Sequence, residues 1–173
     1  MITIQLRRGK AESIKRFHPW IFSGAIQGTH PRNQHIEEGE IVRVVDHEGA
    51  FIALGHYQIG SIAVRILSFE EVNIDENFWT SRLRQAFRMR AALGYTNRGK
   101  EHSIYRLVHG EGDQLPGLII DVFGETAVMQ AHSVGMHVCR GIIADALIEA
   151  TEGQVRNVYY KSETTLPYKA ELG

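Results

Sequence analysis

The sequence predicts a mixed fold: a small all-β unit over residues 1–70, a barrel or sandwich, followed by a small α+β unit of order β-β-β-α-β over 103–160. Three observations predict it. Short β-branched runs separated by turn signals fill the first seventy residues, the pattern of small barrels and sandwiches. A stretch with helical periodicity then follows the acidic, strand-poor residues 71–77. Beyond Ser103, three more strand-like runs precede a second helical stretch and a closing strand, which makes one helix packed on a small sheet.

Taken in order, Ile2-Thr-Ile-Gln-Leu6 alternates apolar and polar residues, as a half-buried strand does. Gly9 to Phe17 suits a short helix, and Pro19 disfavours continuing it past His18. Glu40–Asp46 and Ala50–Tyr57 flank the turn His47-Glu-Gly49, which makes a hairpin. Ile62–Leu67 is a further strand. Asp75 or Asn77 can cap a helix running over 77–93, and Gly94 stops it. Its apolar face is read as Phe78, Trp79, Leu83, Ala86, Phe87, Met89 and Leu93, with arginines between. The second unit takes strands at Ile104–His109, Leu118–Val122 and Thr126–His132, a helix over Gly135–Ala150, and a last strand at Val155–Tyr160. The helix has Val138, Ile142, Ile143, Ala146 and Leu147 on its apolar face. Lys161–Gly173 is polar, lacks periodicity and reads as a connector.

Charge narrows the function classes. The chain of 173 residues carries a net charge of −1, but unevenly. Residues 1–20 hold Arg7, Arg8, Lys10, Lys15 and Arg16 against Glu12 alone, a net of +4. Residues 78–100 hold Arg82, Arg84, Arg88, Arg90, Arg98 and Lys100 with no acid, a net of +6. Such clusters are anion-binding surfaces, with nucleic acid the usual partner, or solvated charge offset by acids elsewhere in the fold. Lys15-Arg-Phe-His-Pro-Trp-Ile-Phe22 adds aromatics to cations, a pairing that suits phosphate contact with base stacking on looped RNA. Its competing reading places Trp20 or Phe22 in the core. The arginines have the stronger claim.

Other chemistry is poorly supported. Cys139 is the only cysteine, so no disulfide forms within the chain and a reducing, cytoplasmic compartment is expected. Its neighbours offer only His137 for activation, and it reads as buried filler. The nine histidines are scattered without the paired spacing of a zinc site, so no metal is expected. No run approaches the ~20 apolar residues of a membrane span. Gly110-Glu-Gly-Asp-Gln-Leu-Pro-Gly117 lacks the G-x-G-x-x-G spacing and leads into a strand, so it presents no helix N-terminus to a phosphate. There is no P-loop and no G-x-S-x-G elbow.

Three stretches nevertheless resemble a known family: Phe17–Ile26, Tyr105–Asp121 and Lys161–Pro167. They are similar to the bacterial S-adenosylmethionine-dependent ribosomal RNA methyltransferases that methylate C5 of a cytosine in large-subunit rRNA. The resemblance implies a PUA-like RNA-binding β-barrel over 1–70, a linker over 71–102 and a central α+β domain over 103–160. Residues 161–173 would then lead to a Rossmann-like methyltransferase domain that this chain is expected to lack. The family's cofactor loop and catalytic cysteine belong to that domain, so no catalytic or cofactor-binding residue is carried over, Cys139 included. In the complete enzyme a cysteine thiolate would add to C6 of cytosine and C5 would take the methyl group from S-adenosylmethionine. For this chain no cofactor and no activity are expected.

The expected partners are ribosomal RNA and the missing methyltransferase domain. Candidate RNA contacts are Arg7, Arg8, Lys10, Lys15 and Arg16, then His18 and Trp20, with Arg82, Arg84, Arg88 and Arg90 as a second surface. Glu111 and Asp113 are expected to face the missing domain or the substrate. Two other readings stay open: an autonomous RNA-binding or assembly module, and a homodimer formed through the sheet edge of 103–160.

Overall fold

In the computed structural model, residues 1–32, 34–96 and 104–166 are described, and the chain divides into two units, Met1–Val72 and Asn73–Gly173. Arg98, Lys100, the expected start of the second unit at Ser103, and Pro167–Gly173 of the closing stretch lie outside the described residues.

The first unit contains β1 (Thr3–Leu6), α1 (Glu12–Lys15), β2 (Trp20–Phe22), β3 (Ile26–His30), β4 (Ile41–Val45), β5 (Phe51–Tyr57) and β6 (Ile62–Ser68). Its six strands form one sheet of order β2-β6-β5-β4-β1-β3, a strongly curled half-barrel. β1 pairs in parallel with β4, and the other pairs are antiparallel. Alternation along the strands turns Ile4, Leu6, Ile21, Val42, Val44, Val64 and Ile66 into a common core, closed by Ile14 of α1. The β4–β5 hairpin is held by Asp46, whose carboxylate accepts the amides of Glu48 and Ala50 at 3.0 Å each, an Asx-type turn. The register shifts at Leu54/Gly55, where a Cβ on Gly55 would lie 2.4 Å from the Arg65 carbonyl oxygen. Only glycine permits that approach. The helix expected over 9–17 contracts to a single turn, and β2 and β3 join the strands expected from the sequence. Three-residue β2 is too short for its period to register.

The second unit contains α2 (Glu76–Ala92), β7 (Ile104–His109), β8 (Leu118–Phe123), β9 (Thr126–Ala131), α3 (Val134–Val138), α4 (Arg140–Ala150) and β10 (Asn157–Tyr160). The sheet order is β10-β9-β8-β7, with β10 parallel to β9 and the rest antiparallel. Asp75 caps α2, its carboxylate accepting the Phe78 amide at 3.1 Å. This helix, expected within a linker, packs on α4 and β7 inside the second unit. Trp79, Leu83, Leu107, Leu118, Ile120, Ile143 and Leu147 are at most 1% exposed, and each such Leu or Ile contributes roughly 1.5–3 kcal/mol by leaving water.

The expected helix over Gly135–Ala150 is two helices, interrupted at Cys139. Ser133 caps the first of them. Val138, assigned to the apolar face, lies at the break and is 55% exposed; Met89 and Leu93 of the α2 region are likewise 51% and 66% exposed. The polar stretch after Tyr160 is not loose at its start. The Lys161 amide donates to the Met129 carbonyl, the Ala131 amide to Ser162 Oγ, and Thr165 Oγ1 to the Ala131 carbonyl, at 2.6–2.9 Å. Among the described residues no helix is long and apolar enough to cross a membrane.

Candidate nucleic-acid interface

In the first unit the sequence places cations on either side of a short turn and an aromatic strand. Strand alternation then decides the faces of β2. Ile21 turns inward and is 1% exposed, so Trp20 and Phe22 both turn outward, Trp20 half-buried and Phe22 48% exposed. Neither ring is core. Together with Lys10, Ser13, Gly24 and Ala25 they line an open groove of about 350 Å³. Ser13 and Phe22 were not among the expected site residues; the inward claim of Ile21 was the signal that could have found Phe22.

The expected cations separate into two groups. Arg7 donates through Nε to the Ile26 carbonyl at 3.0 Å and so braces β3. Lys15 sits 3.6 Å from the Asp46 carboxylate and is half-exposed. Hydrogen bonds from the Ala50 and Glu48 amides, with the Lys15 charge, hold the Asp46 pKa below its ordinary range against the opposing effect of burial. Arg8, Lys10 and Arg16 are exposed and make no ion pair with a described residue. His18 is half-buried, its Nδ1 lying 3.2 Å from the Trp20 amide and its ring edge-on to the indole. It positions the start of β2.

The second basic surface is largely spent within the fold. At 3.6 residues per turn, Arg90 lies only about 20° around α2 from Trp79, whereas Arg88 lies about 180° away. Arg90 therefore falls on the buried stripe. Its guanidinium grips Asp113 bidentately at 2.5 and 2.7 Å, with side chains 13% and 4% exposed, and its Nε donates to the Arg106 carbonyl at 3.0 Å. The same Asp113 carboxylate accepts the His109 amide at 2.6 Å. Arg90 and Asp113, assigned from the sequence to two separate surfaces, are each other's partner. Arg82 bonds the Gln114 carboxamide and lies over the Phe78 ring, and Arg84 pairs with Glu149 at 3.1 Å. Arg88 is exposed without an ion pair among the described residues, beside a shallow groove shared with Ser81, Arg84 and Gln85.

This clamp gives the loop of residues 110–117 its shape. Gly110–Asp113 form a turn of 3-10 helix, and Gln114 follows at φ 58°. Glu111 remains exposed on it. Arg106 and Asp121 pair bidentately across β7 and β8 at 2.8 and 3.0 Å. The Arg106 carbonyl is occupied by Arg90 rather than left for another strand, which blunts the β7 edge as a dimerisation seam.

Cys139 is not an activated nucleophile. Burial pushes the Cys139 thiol pKa up, the opposite of what thiolate chemistry needs. Among the described residues no group of His, Cys, Asp and Glu could hold a metal. What the first unit offers is an open groove lined by Lys10 and the rings of Trp20 and Phe22.

Residues 4–69 match a family described as a PUA-like domain. Ribosomal RNA large subunit methyltransferase I of Citrobacter koseri is 37% identical over 148 residues, covering 84% of this chain and 36% of the relative. The protein of that name from Salmonella paratyphi B is 38% identical over 144 residues, covering 82% and 34%. The chain thus spans about a third of the length of these relatives. A candidate SAM-dependent methyltransferase from Streptococcus mutans shares the fold with a TM-score of 0.75 at 16% identity, over 94% of this chain and 41% of that one. A candidate methyltransferase solved in complex with SAH gives 0.76 at 16% identity, over 94% and 40%. The chain therefore carries a PUA-like domain and is similar, over most of its length, to part of these ribosomal RNA large subunit methyltransferases.

Proposed function

We propose that this chain is the RNA-binding and bridging portion of an S-adenosylmethionine-dependent methyltransferase that modifies C5 of a cytosine in large-subunit rRNA. The observation that carries the reading is the groove of the PUA-like unit. Arg8, Lys10 and Arg16 are exposed without ion pairs among the described residues, and Lys10 lines the groove with the outward rings of Trp20 and Phe22. The cations meet phosphates and the rings meet bases. In the second unit Arg88 extends the phosphate contacts, while Glu111 faces the methyltransferase domain or its substrate. S-adenosylmethionine binding and the cysteine chemistry belong to that further domain, and this chain by itself binds RNA without methylating it.

A salt titration of binding to single-stranded rRNA fragments tests the reading. Four phosphate contacts, from Arg8, Lys10, Arg16 and Arg88, predict a log–log slope of about −2.8, at roughly −0.7 per contact. Replacing Lys10 with Ala lowers the slope by about 0.7. A flat slope, or no binding at low salt, overturns the proposal.

A further inference from the structure

The turn that ends α1 is closed by two backbone bonds. The Phe17 amide donates to the Ile14 carbonyl at 2.8 Å, and the His18 amide to that of Ser13 at 3.1 Å. This is a Schellman motif, whose residue after the cap is left-handed and most often glycine. Here that residue is Phe17, at φ 65°. A bulky side chain at positive φ is a backbone outlier, and such outliers persist where something other than local comfort selects them. Burial does not supply the reason. Phe17 is 72% exposed, its ring packing on that of Phe69 edge-to-face at 5.1 Å and 87°. Exposed Arg16 precedes it, and half-buried His18, edge-on to Trp20, follows.

We infer that Phe17 is a base-stacking residue, held out by its left-handed turn to receive an unpaired nucleobase whose phosphates are met by Arg16 and the neighbouring cations. This deepens the RNA-binding reading and rests on it. The ligand is single-stranded or looped RNA rather than duplex, because a paired base buries its π faces in the helical stack. The adjacent uncompensated positive charge selects a nucleic acid over an apolar peptide.

The test compares the chain with its Phe17→Gly, Phe17→Leu and Phe17→Tyr variants. The probe is a short single-stranded RNA carrying 2-aminopurine at one position, with a duplex of equal length beside it. The expected result is preference for the single strand and fluorescence quenching on binding. Phe17→Gly and Phe17→Leu bind about tenfold more weakly and lose the quenching, as loss of one base–aromatic stack requires. Phe17→Tyr keeps both, and Phe17→Gly melts no lower than the parent. Parent binding that Gly and Leu leave unchanged overturns the stacking role alone. A lowered melting temperature in Phe17→Gly, with normal binding by Phe17→Leu, makes the residue structural and also overturns it. If the parent binds neither RNA at low salt, the RNA-binding reading itself fails.

Discussion

Removing the Asp113 carboxylate should unfold the second unit far more readily than breaking the exposed ion pair between α2 and α4. In Asp113→Ala, the Arg90 side chain, 13% exposed, keeps the Arg106 carbonyl and the weak Met89 sulfur acceptor but loses its counter-charge, and the His109 amide loses its acceptor. Breaking a buried pair by deleting one partner costs about 3–5 kcal/mol. The stranded His109 amide falls within that figure, since a lost acceptor alone costs about 1–3 kcal/mol. The comparison is Glu149→Ala, which breaks the Arg84 pair where the side chains are 35% and 66% exposed; there the cost is at most about 1 kcal/mol. Urea unfolding reads the difference through Trp79, which is 1% exposed on α2. Since the chain has 2 tryptophans, a Trp20→Phe background isolates the signal. Asp113→Asn keeps the shape without the charge and should fall between the two, while Arg90→Met with Asp113→Leu should recover most of the loss. If Asp113→Ala shifts the midpoint no more than Glu149→Ala at unchanged m-value, the clamp does not stabilise the unit and the account of the 110–117 loop is refuted.

Two further outcomes follow from buried positions. His56 is 1% exposed, and burial, then the Arg65 charge, pushes its pKa down from 6.5 to about 4. The unfolded state therefore takes up a proton that the native state refuses. The first unit should hold full stability above pH 6.5 and lose up to about 3 kcal/mol as pH falls to about 4. Denaturant midpoints at neutral and acidic pH check this, and the same slope in His56→Phe would exclude this histidine as its source. Gly117→Ala should cost about 2–4 kcal/mol by adding a left-handed side chain and overpacking its neighbour. At φ +85° its Cβ would lie 2.6 Å from Ser133 Oγ, the cap of α3. Thermal melting measures the loss, and a variant as stable as the parent contradicts the close approach.

Much of the fold was legible because its signals are local. Alternation placed β1, β-branched runs between turn signals placed β4, β5 and β6, and 3.6-residue spacing with Asp75 before it placed α2. Turn chemistry placed the β4–β5 hairpin. Short elements escaped: β2 and β3 are set by pairing with β6 and β1, which no local window contains. Cys139, the break between α3 and α4, carries no proline or cap-forming side chain to announce it.

The site divides in the same way. The sequence by itself determined which residues are charged or aromatic and that the cations cluster. Tertiary structure decided which cations remain for a ligand. Arg90 meets Asp113 across 23 residues and Arg84 meets Glu149 across 65, and such pairings depend on where the chain returns in space. Charge is a property of the residue. Its availability is a property of what folding brings within a few ångströms, because Coulomb attraction and hydrogen bonding act over distance in space and not along the sequence.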